Sequence, residues 1–219
     1  MKLLKKEEDT VRKREVEAIL FDLDGVLVDS LDAWFYVFND TLKSFRLRTL
    51  SKEEFAKYFG APIESDMKRY FIGKTIKEVI TQHNKNFKRR KNLVKLFPDS
   101  TKTLQNLKNK KIKLGLLSNS TKFIVTTILN HFKIKKYFKV IITLEDVKRR
   151  KPAPDMILKA CRMLKVTPKN TILVGDTKND MIAGRRAKCV TVGYKINGDN
   201  RIDKLHSITR FLNQNPNRT

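Results

Sequence analysis

The stretch AILFDLDGVLVDS, residues 18–30, places two carboxylates directly after an apolar run. Residues 18–21 are all apolar, and Asp22 and Asp24 follow at once. Apolar runs without alternation are typical of strands that are covered on both faces of a parallel sheet. The pattern therefore predicts a buried strand, Ala18–Leu23, with both carboxylates at its carboxyl end.

Four further apolar runs in the chain resemble the first one and are also predicted to be strands. They are Lys113–Leu117, Val140–Leu144, Thr171–Val174 and Cys189–Val192. The intervening stretches TKFIVTTILNHF and DMILKACRMLKV place apolar residues at helical spacing. Strands that alternate with helices indicate parallel βαβ units, so the predicted fold class is α/β.

The long connection after the first strand interrupts this alternation and is predicted to be helical. An apolar stripe at helical spacing runs through its first part, and we expect this stripe to be core: Leu31, Trp34, Phe35, Phe38, Leu42 and Phe45. Ser51 with Glu54 and Thr75 with Glu78 each fit a capping box, and Gly60 is placed to end the helix that begins after Ser51.

These patterns predict a division of the chain into three parts. A charged N-terminal extension covers residues 1–17, an inserted helical domain covers residues 31–92, and an α/β core comprises residues 18–30 and 93–219. The two chain crossings, near Asp29–Ser30 and Leu93–Pro98, are the natural hinges of such a domain.

Composition limits the classes of protein to consider. The chain has 219 residues and only two cysteines, Cys161 and Cys189, without metal-type spacing. This favours a reducing, cytoplasmic location over a disulfide scaffold. No apolar run is long enough to cross a bilayer, and the charged start is unlike a secretory signal, so no membrane partner is expected.

The positive charge of the chain is concentrated in one segment. The net charge is +25, and residues 85–113 contain eleven Lys or Arg against the single acid Asp99. Such a surface attracts polyanions, so nucleic acid is one candidate partner. A solvated lysine-rich face is the alternative and the commoner explanation of a charge run.

Polar side chains follow the predicted strands at the edge where an open parallel sheet binds ligands. Ser118 and Asn119 follow the second predicted strand, Lys151 lies in the loop after the third, and Asp176 and Asp180 follow the fourth. Carboxylates that lie close together repel one another, and a hard divalent cation such as Mg²⁺ removes the repulsion. Asp180 also fits an acid that the dipole of the next helix favours, and the two roles are compatible.

Together these residues suit the transfer of a phosphoryl group. Ser118, Asn119 and Lys151 can hold phosphoryl oxygens, Asp22 can attack phosphorus, and Asp24 can protonate the leaving oxygen and later activate water. Ser118–Asn119 alone also fits a turn, and KPAP (residues 151–154) alone fits a loop that enters a helix. The shared position at strand ends strengthens the functional interpretation.

The sequence resembles the haloacid dehalogenase superfamily of phosphohydrolases, in the branch of phosphoglycolate phosphatase-like enzymes and β-phosphoglucomutase. The resemblance rests on four motifs: FDLDGVLVDS, LLSNS, KPAP and VGDTKNDMIAGRRA. It implies a Rossmann-like core with a helical cap, Asp22 as nucleophile and Asp24 as general acid/base. It also implies phosphate binding by Ser118, Asn119 and Lys151. Mg²⁺ would be held by Asp22, the backbone carbonyl of Asp24 and Asp176, with Asp180 close by.

Two details favour hydrolysis of a phosphate ester within this superfamily. Asp24 argues against the dehalogenases, which need no acid for a halide leaving group. The stretch LDAWFYVFND, which follows Ser30, lacks the His expected of a mutase. We therefore expect a Mg²⁺-dependent phosphatase of a small phosphorylated metabolite, phosphoglycolate-like or a sugar phosphate, that acts as a monomer or homodimer. A phosphatase of nucleotides or nucleic-acid ends, a β-phosphoglucomutase-like phosphotransferase, and a non-catalytic binding protein remain as alternatives.

Overall fold

The structure is a computed structural model that describes residues 16–213. The predicted N-terminal extension lies almost entirely outside the described residues, as does the tail after residue 213. None of the helices within residues 16–213 has the length and apolar character needed to cross a bilayer.

A six-stranded, fully parallel sheet forms the centre of the molecule. Its strands are β1 (Ala18–Phe21), β4 (Lys113–Leu117), β5 (Val140–Ile142), β6 (Thr171–Gly175), β7 (Val190–Tyr194) and β8 (Asn200–Ile202). They lie in the order β5-β4-β1-β6-β7-β8, with β1 between β4 and β6. The α/β prediction is thus confirmed, and its five strands differ from the observed ones only at their ends. The edge strand β8 was not predicted.

The uninterrupted apolar character of β1 follows from burial on both faces of the sheet. Ile19 and Phe21 pack into one hydrophobic cluster, while Ala18 and Leu20 pack into a second cluster on the opposite face. All four side chains have no exposed surface. Because successive side chains of a strand point to opposite faces, a strand between two layers of helices must be apolar at every position.

Within residues 16–213, eight α-helices lie between these strands along the chain. They are α1 (Leu31–Ser44), α2 (Lys52–Tyr58), α3 (Ile63–Arg69), α4 (Ile76–Arg90), α5 (Ser100–Asn109), α6 (Lys122–His131), α7 (Asp155–Leu164) and α8 (Lys178–Ala187). We call α1 to α4 the insertion, since they lie between the first two strands of the sheet. The exact division of the chain into core and cap at residues 31 and 92 stays a prediction.

The insertion has an aromatic core of its own. Phe38 on α1 packs within 5.5 Å of Phe55 on α2 and within 5.1 Å of Phe71, measured between ring centroids. These buried rings belong to a hydrophobic cluster separate from those of the sheet. The apolar stripe of α1 is therefore largely core, as its spacing predicts.

The helix boundaries of the insertion follow the predicted capping residues, with one exception. Thr75 and Glu78 form the complete capping box at the start of α4. At α2, Ser51 accepts a hydrogen bond from the backbone N–H of Glu54, but the Glu54 carboxylate forms an ion pair with Arg48 at 2.6 Å. Only half of that predicted box therefore forms. Gly60 follows α2 with a φ of +81°, in the left-handed region expected after a helix end.

Both crossings between the sheet and the insertion run through one short strand pair. β2 (Val28–Asp29) pairs antiparallel with β3 (Lys95–Leu96), and Val28 lies opposite Leu96. The chain thus leaves the core and returns to it through adjacent backbone.

Candidate active site

The structure brings the predicted polar residues together at the carboxyl ends of three adjacent strands. Asp22 follows β1, Ser118 follows β4 and Asp176 follows β6. The order β4-β1-β6 places the Asp22 strand in the middle. Parallel strands end at the same edge of a sheet, so these residues share one site.

Lys151 lies between two of the acids. Its Nζ is 2.9 Å from Oδ1 of Asp22 and 2.7 Å from Oδ1 of Asp180, and it also donates to the backbone carbonyl of Leu117 at 3.2 Å. Burial lowers the pKa of the Lys151 ammonium, but the Asp180 and Asp22 carboxylates outweigh burial and raise it above its usual value. The ammonium therefore stays charged at this buried position.

Three carboxylates lie close enough to share one ion. Asp22, Asp176 and Asp180 each offer an oxygen, and these oxygens lie within 4.8 Å of one another. Burial, followed by the repulsion of Asp180, raises the pKa of Asp176 to about 7. Burial also raises the pKa of Asp22 well above its usual range, although Lys151 opposes the shift.

One buried oxygen of this cluster has neither a hydrogen bond nor an ion pair among the described residues. Oδ1 of Asp176 is buried and accepts no hydrogen bond from any residue in the described range 16–213. A buried unpaired carboxylate oxygen is costly, whereas a hard cation with oxygen ligands would satisfy it. The donor set of carboxylates without His or Cys fits Mg²⁺.

Gly25 allows the chain to approach this cluster closely. Its φ is +76°, and a Cβ atom at this position would lie 1.8 Å from Oδ2 of Asp176. Only glycine fits there, because any side chain would displace the Asp176 carboxylate.

Asp24 is oriented by three hydrogen-bond donors rather than by the carboxylate cluster. Its Oδ1 accepts from the hydroxyl of Ser30 and from the indole N–H of Trp34 at 3.3 Å, and its Oδ2 accepts from the hydroxyl of Ser120 at 3.3 Å. Burial raises the pKa of Asp24, while these hydrogen bonds oppose the shift. The predicted metal contact of its backbone carbonyl stays a prediction.

The donors to Asp24 were missed in the sequence, where Trp34 is predicted only as a core residue. A ring at an apolar helical position signals burial, but its polar N–H carries no sequence pattern. Ser120 lies two residues beyond Ser118, within the quoted LLSNS motif and at the same strand end. The position of Ser120 in that motif was the sequence feature that could have predicted its place in the site.

Ser118 and Asn119 lie at the end of β4 as predicted, and Asn119 holds the loop that carries Lys151. The Asn119 amide donates to the backbone carbonyl of Lys151 at 3.0 Å and accepts from its backbone N–H at 3.2 Å. The hydroxyl of Ser118 accepts from the backbone N–H of Ser120 at 3.1 Å. Both residues thus shape the loops around the site, and their contact with phosphate stays a prediction.

Asp180 fulfils the helix-start role and also faces the site. Its Oδ2 accepts from the backbone N–H of Thr177 at 3.1 Å and completes a capping box at the start of α8. The Oδ1 atom of Asp180 contacts Lys151. The Asp180 side chain also lies against Gly175, where an added Cβ would be 2.2 Å from the Asp180 Cβ. One oxygen caps the helix and the other belongs to the acid cluster.

The insertion covers the strand ends through polar pairs. These pairs are Trp34 with Asp24, Asn84 with Thr121, Gly60 with Asn179, and Glu64 with Arg150. Between the insertion and the core lies a cavity of about 150 Å³ that contains Asp22, Asp24 and Lys151. Six aromatic side chains of the insertion line it: Trp34, Phe38, Phe55, Tyr58, Phe59 and Tyr70.

The basic segment 85–113 lies apart from this cavity. It runs from the end of α4 to the start of β4, and none of its residues lines the cavity. Arg90 forms an ion pair with Asp40 at 2.8 Å, while Lys88, Arg89 and Lys91 are exposed. We therefore assign this segment no role in the reaction, and its binding of polyanions stays a prediction.

Fold and site together define a hydrolase of one large class. The model of the haloacid dehalogenase-like hydrolase family matches residues 19–194, and the chain belongs to this family. The match runs from Ile19 in β1 to the end of β7. The predicted resemblance is therefore confirmed, and the chain is a phosphatase-type hydrolase.

Individual relatives narrow the comparison further. The chain is 32% identical to the pyrophosphatase PpaX of Oceanobacillus iheyensis over 193 residues, which cover 87% of this chain and 90% of the relative. A solved structure from Haemophilus somnus, named a predicted phosphoglycolate phosphatase, is 26% identical with a TM-score of 0.74 and covers 89% of this chain and 97% of its own. CbbY from Rhodobacter sphaeroides, solved with phosphate, shares the fold with a TM-score of 0.78 at 20% identity, over 88% of this chain and 96% of its own. These relatives support a phosphatase that acts on small phosphorylated compounds.

Proposed function

We propose that this protein is a Mg²⁺-dependent phosphatase of small phosphorylated compounds that works through an aspartyl-phosphate intermediate. The observation that carries the proposal is the arrangement of Asp22. One of its oxygens is held by Lys151, and the acids Asp176 and Asp180 lie within 4.8 Å. Asp24 lies two residues further on and is held by different partners.

The hydrogen bonds of Asp22 suggest which of its oxygens attacks. Oδ1 accepts from the backbone N–H of Leu23 at 2.7 Å and contacts Lys151 at 2.9 Å. Both contacts draw electron density from Oδ1 and fix the carboxylate plane. We assign the attack on phosphorus to Oδ2, which leaves Oδ1 as the oriented, charge-stabilised partner.

Asp24 then handles the protons of both steps. As Asp22 forms a bond to phosphorus, the bond to the leaving oxygen breaks, and that oxygen takes a proton from the Asp24 carboxyl. A water next attacks phosphorus, gives its proton to the Asp24 carboxylate, and the bond between Asp22 and phosphorus breaks to release phosphate. The raised pKa of Asp24 favours the protonated form that the first step requires.

The residues that would hold Mg²⁺ are Asp22, Asp176 and the backbone carbonyl of Asp24, with Asp180 close by. The ion would neutralise the clustered carboxylates and polarise the phosphoryl oxygens. Ser118, Asn119 and Lys151 would hold the phosphoryl group from the β4 side. Closure of the insertion over the cavity would exclude water and so strengthen each of these charge interactions.

The test is hydrolysis of p-nitrophenyl phosphate by metal-free protein with added Mg²⁺, added Ca²⁺ or excess EDTA. We expect turnover with Mg²⁺, little with Ca²⁺ because its looser coordination misplaces the attack, and none with EDTA. Asp22→Asn should lower turnover by at least several powers of ten without unfolding the chain. Asp29→Asn is the matched control, since Asp29 is exposed beside the same motif. Full activity in EDTA, or in Asp22→Asn, would refute the proposal.

A further inference from the structure

The insertion side of the cavity is a wall of packed rings. Phe38 lies 5.5 Å from Phe55 and 5.6 Å from Tyr70 between ring centroids, and each pair is tilted or edge-on. Trp34, Tyr58 and Phe59 complete the wall. Aromatic faces carry partial negative charge, so they accommodate apolar groups or cations and repel anions.

Cationic side chains are missing from this wall. Among the residues of the described chain that line the cavity, Lys151 is the sole Lys or Arg, and Asp22 and Asp180 already contact it. Arg150 precedes it in sequence, but it forms an ion pair with Glu64 and is not part of the lining. This is notable in a chain with a net charge of +25.

The insertion side of the lining holds one carboxyl group, on Asp66, and one imidazole, on His83. Asp66 on α3 lines the cavity beside the rings. Burial raises the pKa of Asp66 to about 7, although Arg69, which lies over the Tyr58 ring and outside the lining, opposes the shift. A second anionic group on a substrate would therefore meet rings, a carboxyl group and the His83 imidazole, which is uncharged because burial lowers its pKa to about 4.

We propose that the insertion selects phosphate monoesters whose alcohol part carries no negative charge and has an apolar body. This inference rests on the proposed function and names the substrate class of the same site. An anion placed against this wall would be buried without a cationic partner among the lining residues of the insertion, which is unfavourable. An apolar alcohol part instead gains from contact with the rings.

The proposed substrate class differs from the substrates that the names of the relatives suggest. Pyrophosphate and phosphoglycolate each carry a second anionic group beyond the phosphoryl group that is transferred. In this cavity that group would point from the strand ends toward the aromatic wall.

Three substrates of matched shape test the proposal. Phosphoglycolate, its amide and isobutyl phosphate have a similar branched end that is respectively anionic, polar but neutral, and apolar. We expect kcat/KM to rise in that order, with at least a roughly tenfold gain from phosphoglycolate to isobutyl phosphate, the equivalent of one modestly unfavourable contact. Pyrophosphate should be a poor substrate as well.

Two variants make the test independent of the intrinsic reactivity of each ester. Ile63 is half-buried at the start of α3 and lines the cavity, so Ile63→Lys adds the missing cation. We expect Ile63→Lys to lower the ratio of kcat/KM for isobutyl phosphate to kcat/KM for phosphoglycolate by roughly tenfold. Ile63→Met, a neutral control of similar size, should leave this ratio unchanged. Asp66→Asn should raise kcat/KM for phosphoglycolate a few-fold and leave isobutyl phosphate unaffected.

The possible results separate the two proposals. If wild type hydrolyses p-nitrophenyl phosphate but turns over phosphoglycolate or pyrophosphate as efficiently as isobutyl phosphate, the substrate class is wrong and the phosphatase assignment stands. The same holds if Ile63→Lys and Asp66→Asn both fold and both leave the preference unchanged. If no phosphate ester is hydrolysed with Mg²⁺, the proposed function fails and this inference fails with it.

Discussion

Lys151 and Asp180 form an ion pair of 2.7 Å in which neither side chain is more than 3% exposed. Removal of one partner leaves the other as a buried, uncompensated charge, which typically costs about 3 kcal/mol or more. We expect Lys151→Met to lower the free energy of unfolding by about this amount in EDTA, and to lower turnover by at least about two powers of ten.

Two further variants show whether charge is the cause. Lys148→Met changes an exposed lysine of the same loop and should leave both quantities unchanged. Asp180→Asn added to Lys151→Met should restore part of the lost stability, because it removes one of the unpaired carboxylates. Lys151→Met protein as stable as wild type in EDTA would contradict the assignment of Lys151 as the charge that holds the acids together.

Asp24→Asn should harm alkyl phosphates more than aryl phosphates. An aryl oxygen leaves as a stable anion, whereas an alkyl oxygen needs the proton that Asp24 is proposed to donate. The measurement is the rate of the first step, by rapid quench, for p-nitrophenyl phosphate and an alkyl phosphate. Equal losses for both esters would count against Asp24 as the acid.

Gly25→Ala should weaken Mg²⁺ binding through Asp176. The added Cβ would lie 1.8 Å from Oδ2 of Asp176, and the φ of +76° adds strain. Gly73→Ala is the matched control, since its φ is +75° and its Cβ would meet no atom within 4 Å. We expect both variants to lose some stability, while only Gly25→Ala shifts the Mg²⁺ concentration for half-maximal activity upward. Equal Mg²⁺ dependence in the two variants would disprove the role of the contact.

His83 should make the protein less stable as the pH falls below 6.5. Burial lowers its pKa from 6.5 to about 4, and its Nε2 has no hydrogen-bond partner within residues 16–213. Between these values the unfolded chain binds a proton that the folded chain rejects, so stability is lost with acidification, up to about 3 kcal/mol.

His83→Leu isolates this contribution. The free energy of unfolding of the variant, relative to wild type, should rise as the pH is lowered from 7 to 4.5, because the variant has no imidazole to protonate. Chemical denaturation at both pH values measures it. A difference between the two proteins that does not change with pH would show that His83 accepts a proton in the folded state.

Charge reversal in the basic segment should leave catalysis intact. Lys88, Arg89 and Lys91 are exposed and do not line the cavity, so changing all three to Glu should alter kcat/KM for a small phosphate ester less than twofold at 0.1 M salt, where charges beyond about 10 Å are screened. Any affinity for single-stranded DNA, measured by fluorescence anisotropy, should weaken in this triple variant. A large, salt-dependent fall in kcat/KM would instead show that these residues steer the substrate.

Strand-end chemistry was predictable from the sequence, because a buried parallel strand must be apolar and its polar residues must lie beyond it. That rule placed Asp22, Asp176 and Ser118 together. The same rule did not predict β8, because only one of its three residues, Ile202, is buried. Periodicity likewise reports burial and not partners, so it identified Trp34 as core and missed its hydrogen bond to Asp24.

Other predictions depended on contacts between distant parts of the chain. The half-formed capping box at Ser51 arises because Arg48 competes for Glu54, and local spacing cannot rank such competitors. The charge balance of the cavity wall depends on which helices of the insertion face the strand ends. Cytoplasmic location and the monomeric or dimeric state stay predictions.

The pairing of β2 with β3 makes the insertion interchangeable in principle. The two ends of the insertion leave the core side by side. The insertion is therefore equivalent to one long loop whose ends are held together by the β2–β3 pair. The entropy of closing such a loop grows only slowly with its length, so insertions of very different size can be accommodated between β2 and β3. The choice of substrate can therefore change with the insertion while the carboxylates that follow β1 and β6 stay in place, provided that the hydrogen bond of Trp34 to Asp24 is kept or replaced.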